Sequence, residues 1–146
     1  MDSGKTAAAL EETMSFLIDT DIIIYSLKNN ETVRQNFLNN ANSFKAISVI
    51  SYGELVFGAH RSEQATRNMA VVRKVAGLFP IIDVNASIME TFAELKAALL
   101  ERGHPIDDMD LIIAATAFVN NFTLVTNNER HFAVVSGLKI ANWTKK

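Results

Sequence analysis

The sequence contains no cysteine, which excludes disulfide bonds, thiolate nucleophiles and cysteine-based zinc sites. Glycine and proline are scarce, at 6 and 2 of 146 residues, and 49% of the residues are hydrophobic. That composition is typical of a globular domain rather than of a low-complexity segment. No apolar run approaches the roughly 20 residues that cross a bilayer. We therefore expect one compact domain that is not embedded in a membrane, with the cytoplasm as its location.

An excess of positive charge is also missing. The net charge is −2 and the isoelectric point is near 5.9, which argues against a protein that holds nucleic acid by bulk charge alone. One basic segment is nevertheless a candidate for contact with RNA phosphates, although a solvated helix face explains it as well. Its members are Arg61, Arg67, Arg73 and Lys74.

The first thirteen residues do not have the pattern of a secretory signal. They include three acidic residues and lack a basic start followed by an apolar stretch. A second methionine, Met14, stands just before the first apolar run. We interpret residues 1–13 as an N-terminal extension or tag remnant, and residues 14–146 as the folded domain.

Short apolar runs alternate with patterns of helical spacing along the chain. The runs predict strands at 16–18, 46–50, 81–84, 122–126 and 138–143. The intervening patterns predict helices after residue 20 and at 31–40, 63–78, 88–103 and 110–118. This alternation predicts an α/β fold in one domain, with a central, mainly parallel sheet and helices on both faces.

Acidic residues stand where ligands gather in such folds, at the carboxyl ends of strands and in the first turns of helices. Asp19 follows the first predicted strand, and Glu54 and Asp110 begin helices. Three carboxylates in one crevice repel each other, and a divalent cation removes the conflict. Mg²⁺ prefers such oxygen ligands, and Mn²⁺ often replaces it. The pattern predicts a magnesium site suited to cleavage of phosphodiester bonds.

Each acid also has a simpler explanation. Asp19 suits a helix N-cap, although Thr20 or Asp21 could cap the same helix. Ser51 and Glu54 have the spacing of a capping box. Acids near residue 110 suit the positive end of a helix dipole.

Four segments, taken in order, resemble the PIN-domain family, and within it the VapC-type toxins of toxin–antitoxin pairs. They are Leu17 to Asp21, Ser51 to Gly58, Ile106 to Ala117, and Leu124 to Asn128. The likeness continues to Trp143 and thus covers nearly everything after the second methionine.

The resemblance implies a PIN-like fold and a Mg²⁺-dependent endoribonuclease. It places catalysis on Asp19, Glu54 and Asp110, and the main magnesium ligands at Asp19 and Asp110. It also implies a cognate antitoxin that occludes the site, and a homodimer.

Further side chains complete this hypothesis. Three are expected to orient the ligands: Thr20, Asp21 and Thr126. The likeness also includes Phe132, and where many relatives carry an acid just before this phenylalanine, this chain has His131. Asn128 and Glu129 are candidates for that fourth position, and His131 is a candidate for contact with a phosphate.

Two alternatives stay open at this point. A haloacid-dehalogenase-like phosphatase would use Asp19 as its nucleophile and Asp107 and Asp108 as metal ligands, although Ile23 stands where that family has Thr or Val. A non-catalytic PIN-like module would hold RNA or a protein without cutting it. The retained Glu54 argues against a purely structural remnant.

Overall fold

The computed structural model describes residues 14–146, so the interpretation of residues 1–13 as an extension lies outside the described part. Its five strands are β1 Ser15–Ile18, β2 Phe44–Ser48, β3 Ile81–Ile82, β4 Thr123–Val125 and β5 Ile140–Ala141. The helices of the described part are α1 Thr20–Leu27, α2 Glu31–Asn39, α3 Val49–Arg61, α4 Ala65–Leu78, α5 Ala86–Glu101, α6 Asp108–Val119 and α7 Glu129–Phe132. None of these helices is long and apolar enough to span a bilayer.

The strands form one parallel sheet in the order β3-β2-β1-β4-β5. The chain builds outward from β1 through β2 to β3 and then returns across the sheet to β4, on the other side of β1. The strand order therefore reverses between β1 and β4. In open parallel sheets this switch point is where a ligand crevice forms, beyond the carboxyl ends of the strands.

Two apolar layers cover the sheet, which confirms the predicted α/β architecture. Successive side chains of a strand point to opposite faces, so Phe16 and Ile18 pack into one layer and Leu17 into the other. The first layer contains buried residues of α1, α2, α3 and α4, and the second contains those of α5, α6 and α7. The almost uninterrupted apolar strands follow from burial on both faces.

Several predicted helix starts are wrong by up to three residues. Helix α4 begins at Ala65 rather than at residue 63, and α5 begins at Ala86 rather than at residue 88. Of the three candidates for the N-cap of α1, Asp19 is the one observed, while α6 begins at Asp108 rather than at Asp110. The largest error concerns α3, which begins after Ser48 rather than after Ser51. Strands β3 and β5 are also shorter than predicted, with two residues each.

The α3 start is set by Ser48, whose Oγ accepts a hydrogen bond from the backbone N–H of Ile50 at 3.1 Å. Ser51 lies inside the helix, and its buried Oγ has no hydrogen-bond partner. The capping-box explanation of Glu54 is therefore wrong.

Two matched substitutions test this start. Ser48→Ala removes the cap and is expected to lower the free energy of unfolding by about 1 kcal/mol. Ser51→Ala removes a buried hydroxyl that pairs with nothing and is expected to be neutral or slightly stabilising. Urea unfolding of both variants measures the difference. A larger loss in Ser51→Ala than in Ser48→Ala would contradict the assigned start.

Candidate active site

Asp19 lies at the switch point, directly after β1. Parallel pairing places Ile18 beside Val125, so Asp19 and Thr126 leave the sheet side by side. The Asp19 side chain, only 7% exposed, accepts hydrogen bonds from the Thr20 backbone N–H and from Thr126 Oγ1, both at 2.9 Å. Asp19 therefore contacts Thr20 and Thr126, two of the residues expected to orient the ligands.

Asp21 and Asp110 carry charge close to Asp19. Burial raises the pKa of Asp19 from 3.8 to about 7, and the charge of Asp21 adds to the rise. Hydrogen bonds from Thr126 and Thr20 oppose it, and Asp110 contributes a smaller increase. Burial also raises the pKa of Asp21, with a further contribution from Asp110. The fold thus collects three carboxylates in one crevice, where their charges disfavour each other.

Glu54 reaches the same crevice from α3. Because α3 starts three residues earlier than expected, Glu54 lies in its second turn, free of any capping role. Its Oε1 accepts a hydrogen bond from Thr20 Oγ1 at 2.7 Å. Thr20 directly follows Asp19 in the chain, so it connects the exposed Glu54 to the buried Asp19.

The residues considered for the fourth position separate into two groups. His131 Nε2 lies 3.0 Å from Asp110 Oδ2 and so belongs to the acidic site. Glu129 instead pairs with Lys145 Nζ at 2.6 Å and with Asn142, and these contacts lower its pKa. Asn128 contributes its backbone N–H, which donates to Thr126 Oγ1 at 3.0 Å.

Asn127 is a site residue that the sequence reasoning did not single out. Its backbone N–H donates to Asp21 Oδ2 at 3.2 Å, and its side-chain amide donates to the Tyr25 hydroxyl at 3.3 Å. Its Oδ1 accepts from Asn142 Nδ2 at 3.2 Å and from Thr144 Oγ1 at 3.0 Å. The signal in the sequence is the polar cluster directly after β4, where parallel topology concentrates functional groups.

The basic segment makes no contact with the acids within the described residues. Arg61 lies 6.0 Å from the centre of the Phe57 ring, and Arg67 donates to Gln64 at 3.1 Å. Both contacts are local to α3 and to the start of α4. Arg73 and Lys74 are exposed on α4, as on a solvated helix face.

The acidic site suits a cation that keeps much of its water. Within residues 14–146, no three His, Asp or Glu side chains converge closely enough to enclose a metal ion by themselves. Mg²⁺ is usually held by only one or two carboxylates, with water and phosphate oxygens as its other ligands. Asp21 Oδ1 is a buried carboxylate oxygen without a hydrogen-bond partner, and Asp19 is buried among like charges. This donor set fits Mg²⁺ or Mn²⁺.

The chain belongs to the PIN-domain family, since residues 16–138 match its PIN domain. Among the curated proteins it is similar to the tRNA(fMet)-specific endonuclease VapC of Shigella flexneri, with 33% identity over 90% of this chain and 99% of that protein. It is also 34% identical to ribonuclease VapC2 of Haemophilus influenzae, over 89% of this chain and 98% of that protein. Among solved structures, VapBC2 of Rickettsia felis bound to a promoter DNA fragment aligns with a TM-score of 0.84 at 32% identity, covering 89% and 99% of the two chains.

Proposed function

We propose that this protein is a Mg²⁺-dependent endoribonuclease and the toxin component of a VapBC-type toxin–antitoxin system. The observation that carries the proposal is the meeting of Asp19, Asp21 and Asp110 at the switch point of the sheet. Relatives that share about a third of their residues with this chain over nearly their whole length are ribonucleases by name. Mn²⁺ is expected to replace Mg²⁺.

The expected reaction is hydrolysis, in which water attacks phosphorus in line with the departing 3′ oxygen. The bond from phosphorus to that oxygen breaks, leaving a 5′-phosphate and a 3′-hydroxyl that takes its proton from solvent. Asp19 and Asp110 would hold the cation, and Glu54 would orient the attacking water and accept its proton. A bound cation supplies a Lewis acid that favours ionisation of water and offsets charge on the phosphate.

The supporting residues keep these carboxylates in place. Thr126 and Thr20 fix the two oxygens of Asp19, and Thr20 also holds Glu54. His131, in contact with Asp110, is expected to meet a substrate phosphate. Such outer contacts typically change metal affinity or activity by about 10-fold to 100-fold when they are lost.

A cognate antitoxin is the expected protein partner. Solved structures that align with this chain at 28% identity or more include VapBC complexes from Rickettsia felis, Salmonella typhimurium and Haemophilus influenzae. The expected homodimer and cytoplasmic location remain predictions of the family resemblance and the composition.

The alternatives lose support in the structure. The phosphatase hypothesis needs Asp107 and Asp108 at the metal, but Asp107 caps α6 and accepts from the Met109 N–H at 3.1 Å. Asp108 pairs with Lys96 at 2.9 Å. The binding-module hypothesis leaves unexplained why the fold keeps buried, mutually repelling carboxylates.

The test is cleavage of a tRNA mixture by the purified full chain, with Mg²⁺ or with EDTA, followed by identification of the new 5′ ends. We expect cleavage with Mg²⁺ only, leaving 5′-phosphates. Asp110→Asn is expected to lower the rate by roughly 100-fold or more, since it removes a carboxylate that would hold the cation, and with it the cation's stabilisation of charge at the reacting phosphate.

Asp108→Asn is the matched control, because Asp108 begins the same helix but faces Lys96. Its cleavage rate is expected to stay within about twofold of that of the unchanged protein, because losing an exposed ion pair changes the free energy of folding very little. Because all preparations are purified alike, a contaminating nuclease would cleave equally in each. Cleavage in EDTA, or full activity of Asp110→Asn, contradicts the proposal.

A further inference from the structure

One carboxylate oxygen of Asp21 accepts a hydrogen bond, and the other has no hydrogen-bond partner. Oδ2 accepts the backbone N–H of Asn127 at 3.2 Å. Oδ1 is buried and accepts no hydrogen bond of normal geometry, although the nearby N–H groups of Asp21 and Ile22 lower the pKa of the carboxyl. Among the described residues, only one other buried side-chain atom, Ser51 Oγ, lacks a partner. A buried polar atom left unpaired costs about 1–3 kcal/mol, and more when it is charged.

The charges around Asp21 increase this cost. After burial, the charge of Asp21 is the largest cause of the raised pKa of Asp19, and the charge of Asp110 raises the pKa of both residues. None of the ion pairs within residues 14–146 involves Asp19 or Asp21. A positive partner would stabilise the ionised carboxylate in this position, and no ion pair within the described residues supplies one.

The position of Asp21 is fixed through Asn127. The side chain of Asn127 is held by Tyr25, Asn142 and Thr144, so the backbone N–H that anchors Oδ2 cannot easily shift. Anchoring Oδ2 in this way fixes the direction of Oδ1. Carboxylates that bind metals are commonly held through one oxygen by a hydrogen bond of this kind.

We propose that Asp21 is itself a metal-binding carboxylate of this site, which contacts the cation through Oδ1 while Asn127 holds Oδ2. The inference rests on the proposed function and extends it, because Asp21 was expected only to orient other ligands. Asp21 then joins Asp19 and Asp110 as a candidate ligand, and because the three carboxylates do not enclose an ion by themselves, water would complete the set. The cation neutralises charge that the fold otherwise leaves uncompensated.

A purely structural role for Asp21 makes a different prediction. If Asp21 serves only to hold the loop after β4, Asn performs that role equally well, because its oxygen still accepts from the Asn127 N–H. Asp21→Asn therefore keeps the anchor and removes the charge. Glu31→Gln is the matched control, since Glu31 is an exposed acid in the first turn of the neighbouring helix α2.

The experiment measures binding of Mn²⁺ alone to the full chain at pH 8 by titration calorimetry and electron paramagnetic resonance, without RNA. We expect Asp21→Asn to weaken Mn²⁺ binding by about 10-fold or more, in the range seen when contacts at metal sites are lost. Its melting temperature without metal is expected to match or exceed that of the unchanged protein, since repulsion is relieved. Glu31→Gln is expected to bind Mn²⁺ unchanged.

The outcomes of these measurements distinguish failure of this inference from failure of the proposed function on which it rests. Unchanged Mn²⁺ affinity in Asp21→Asn, together with weakened affinity in Asp110→Asn, overturns the role of Asp21 and leaves the proposed function intact. A lower melting temperature of metal-free Asp21→Asn would show that the carboxylate is structural, and would also overturn the inference. If the unchanged protein binds no Mn²⁺, both proposals fail.

Discussion

Replacing Asp19 with Asn is expected to abolish RNA cleavage and, at the same time, to stabilise the metal-free protein above pH 7. The two effects have one cause. Asp19 is buried beside Asp21 and Asp110, and its pKa is raised from 3.8 to about 7. The site holds a carboxylate where burial disfavours its charge, and a bound cation would offset that cost.

The direction of the pH effect follows from proton binding. Because the pKa of Asp19 is higher in the folded state, the folded protein binds this proton more tightly than the unfolded chain does. Stability therefore falls as pH rises from about 4 to about 7, and the full penalty persists above pH 7. A rise in pKa of this size corresponds to a penalty on the order of 4 kcal/mol, taken as an upper limit.

Asn removes this titration while keeping much of the local structure. Asn is as good a helix N-cap as Asp, so the bond from the Thr20 N–H is retained. The Thr126 hydroxyl, which donates to Asp19, can accept from the new amide instead. We expect the stability gained by Asp19→Asn to be small near pH 4 and largest at pH 8.

Urea unfolding in EDTA at several pH values measures the stability difference, and cleavage of tRNA with Mg²⁺ measures activity. Added Mg²⁺ is expected to stabilise the unchanged protein, because a cation that binds only the folded state shifts the equilibrium toward it, and to have little effect on Asp19→Asn. Wild-type cleavage by the variant, or a variant less stable than the unchanged protein at pH 8, would contradict the assignment.

The parts of the site that follow from strand order could be predicted from the sequence. Asp19 and Thr126 each come directly after an apolar run, and parallel pairing brings such positions together. To predict that Asp110 lies in the same place, it was enough to expect a helix to begin near that edge of the sheet. No structural detail was needed to place these residues in one crevice.

Glu54 shows where local patterns mislead. Ser48 and Ser51 are both good N-caps, and the Ser51 to Glu54 spacing imitates a capping box. The sheet determines which serine caps α3, because Ser48 pairs with Ile82 and is the last residue of β2. Tertiary pairing thus frees Glu54 for the site.

The surroundings of Asn127 could not be predicted for a different reason. Asn142 and Thr144 lie 15 and 17 residues further along the chain, and they meet Asn127 only because β5 pairs with β4. Strand β5 has two residues, too few for an alternating pattern to fix its register. The contact therefore depends on the packing of the segment that follows the strand.

That packing centres on Trp143, and Trp143→Ala is expected to have the largest effect on stability. The indole is 5% exposed and lies edge-on to Phe16 and Phe37, with ring centres 5.1 and 4.9 Å away. The Asn36 side chain also donates to the Trp143 carbonyl at 2.9 Å. Truncating a buried aromatic residue of this kind costs about 3–5 kcal/mol. That is a large share of the roughly 5–15 kcal/mol that typically stabilises a domain.

The matched control is Leu38→Ala, at an apolar residue of α2 that is 69% exposed. Its loss is expected to stay within about 0.5 kcal/mol, as for most surface substitutions. Urea unfolding of the two variants provides the comparison. A Trp143→Ala loss no larger than that of Leu38→Ala would show that the aromatic cluster does not anchor the end of the chain.

Loss of Trp143 is also expected to weaken the active site, because its neighbours Asn142 and Thr144 hold Asn127, and Asn127 holds Asp21. Thr144→Val separates this effect from global destabilisation, since it removes the hydroxyl contacts and opens no cavity beneath the sheet. We expect Thr144→Val to remain folded with a stability loss of about 1 kcal/mol. Its Mn²⁺ affinity should fall, as in Trp143→Ala studied under conditions where that variant is folded. If both variants bind Mn²⁺ normally, the end of the chain stabilises the fold without positioning the site.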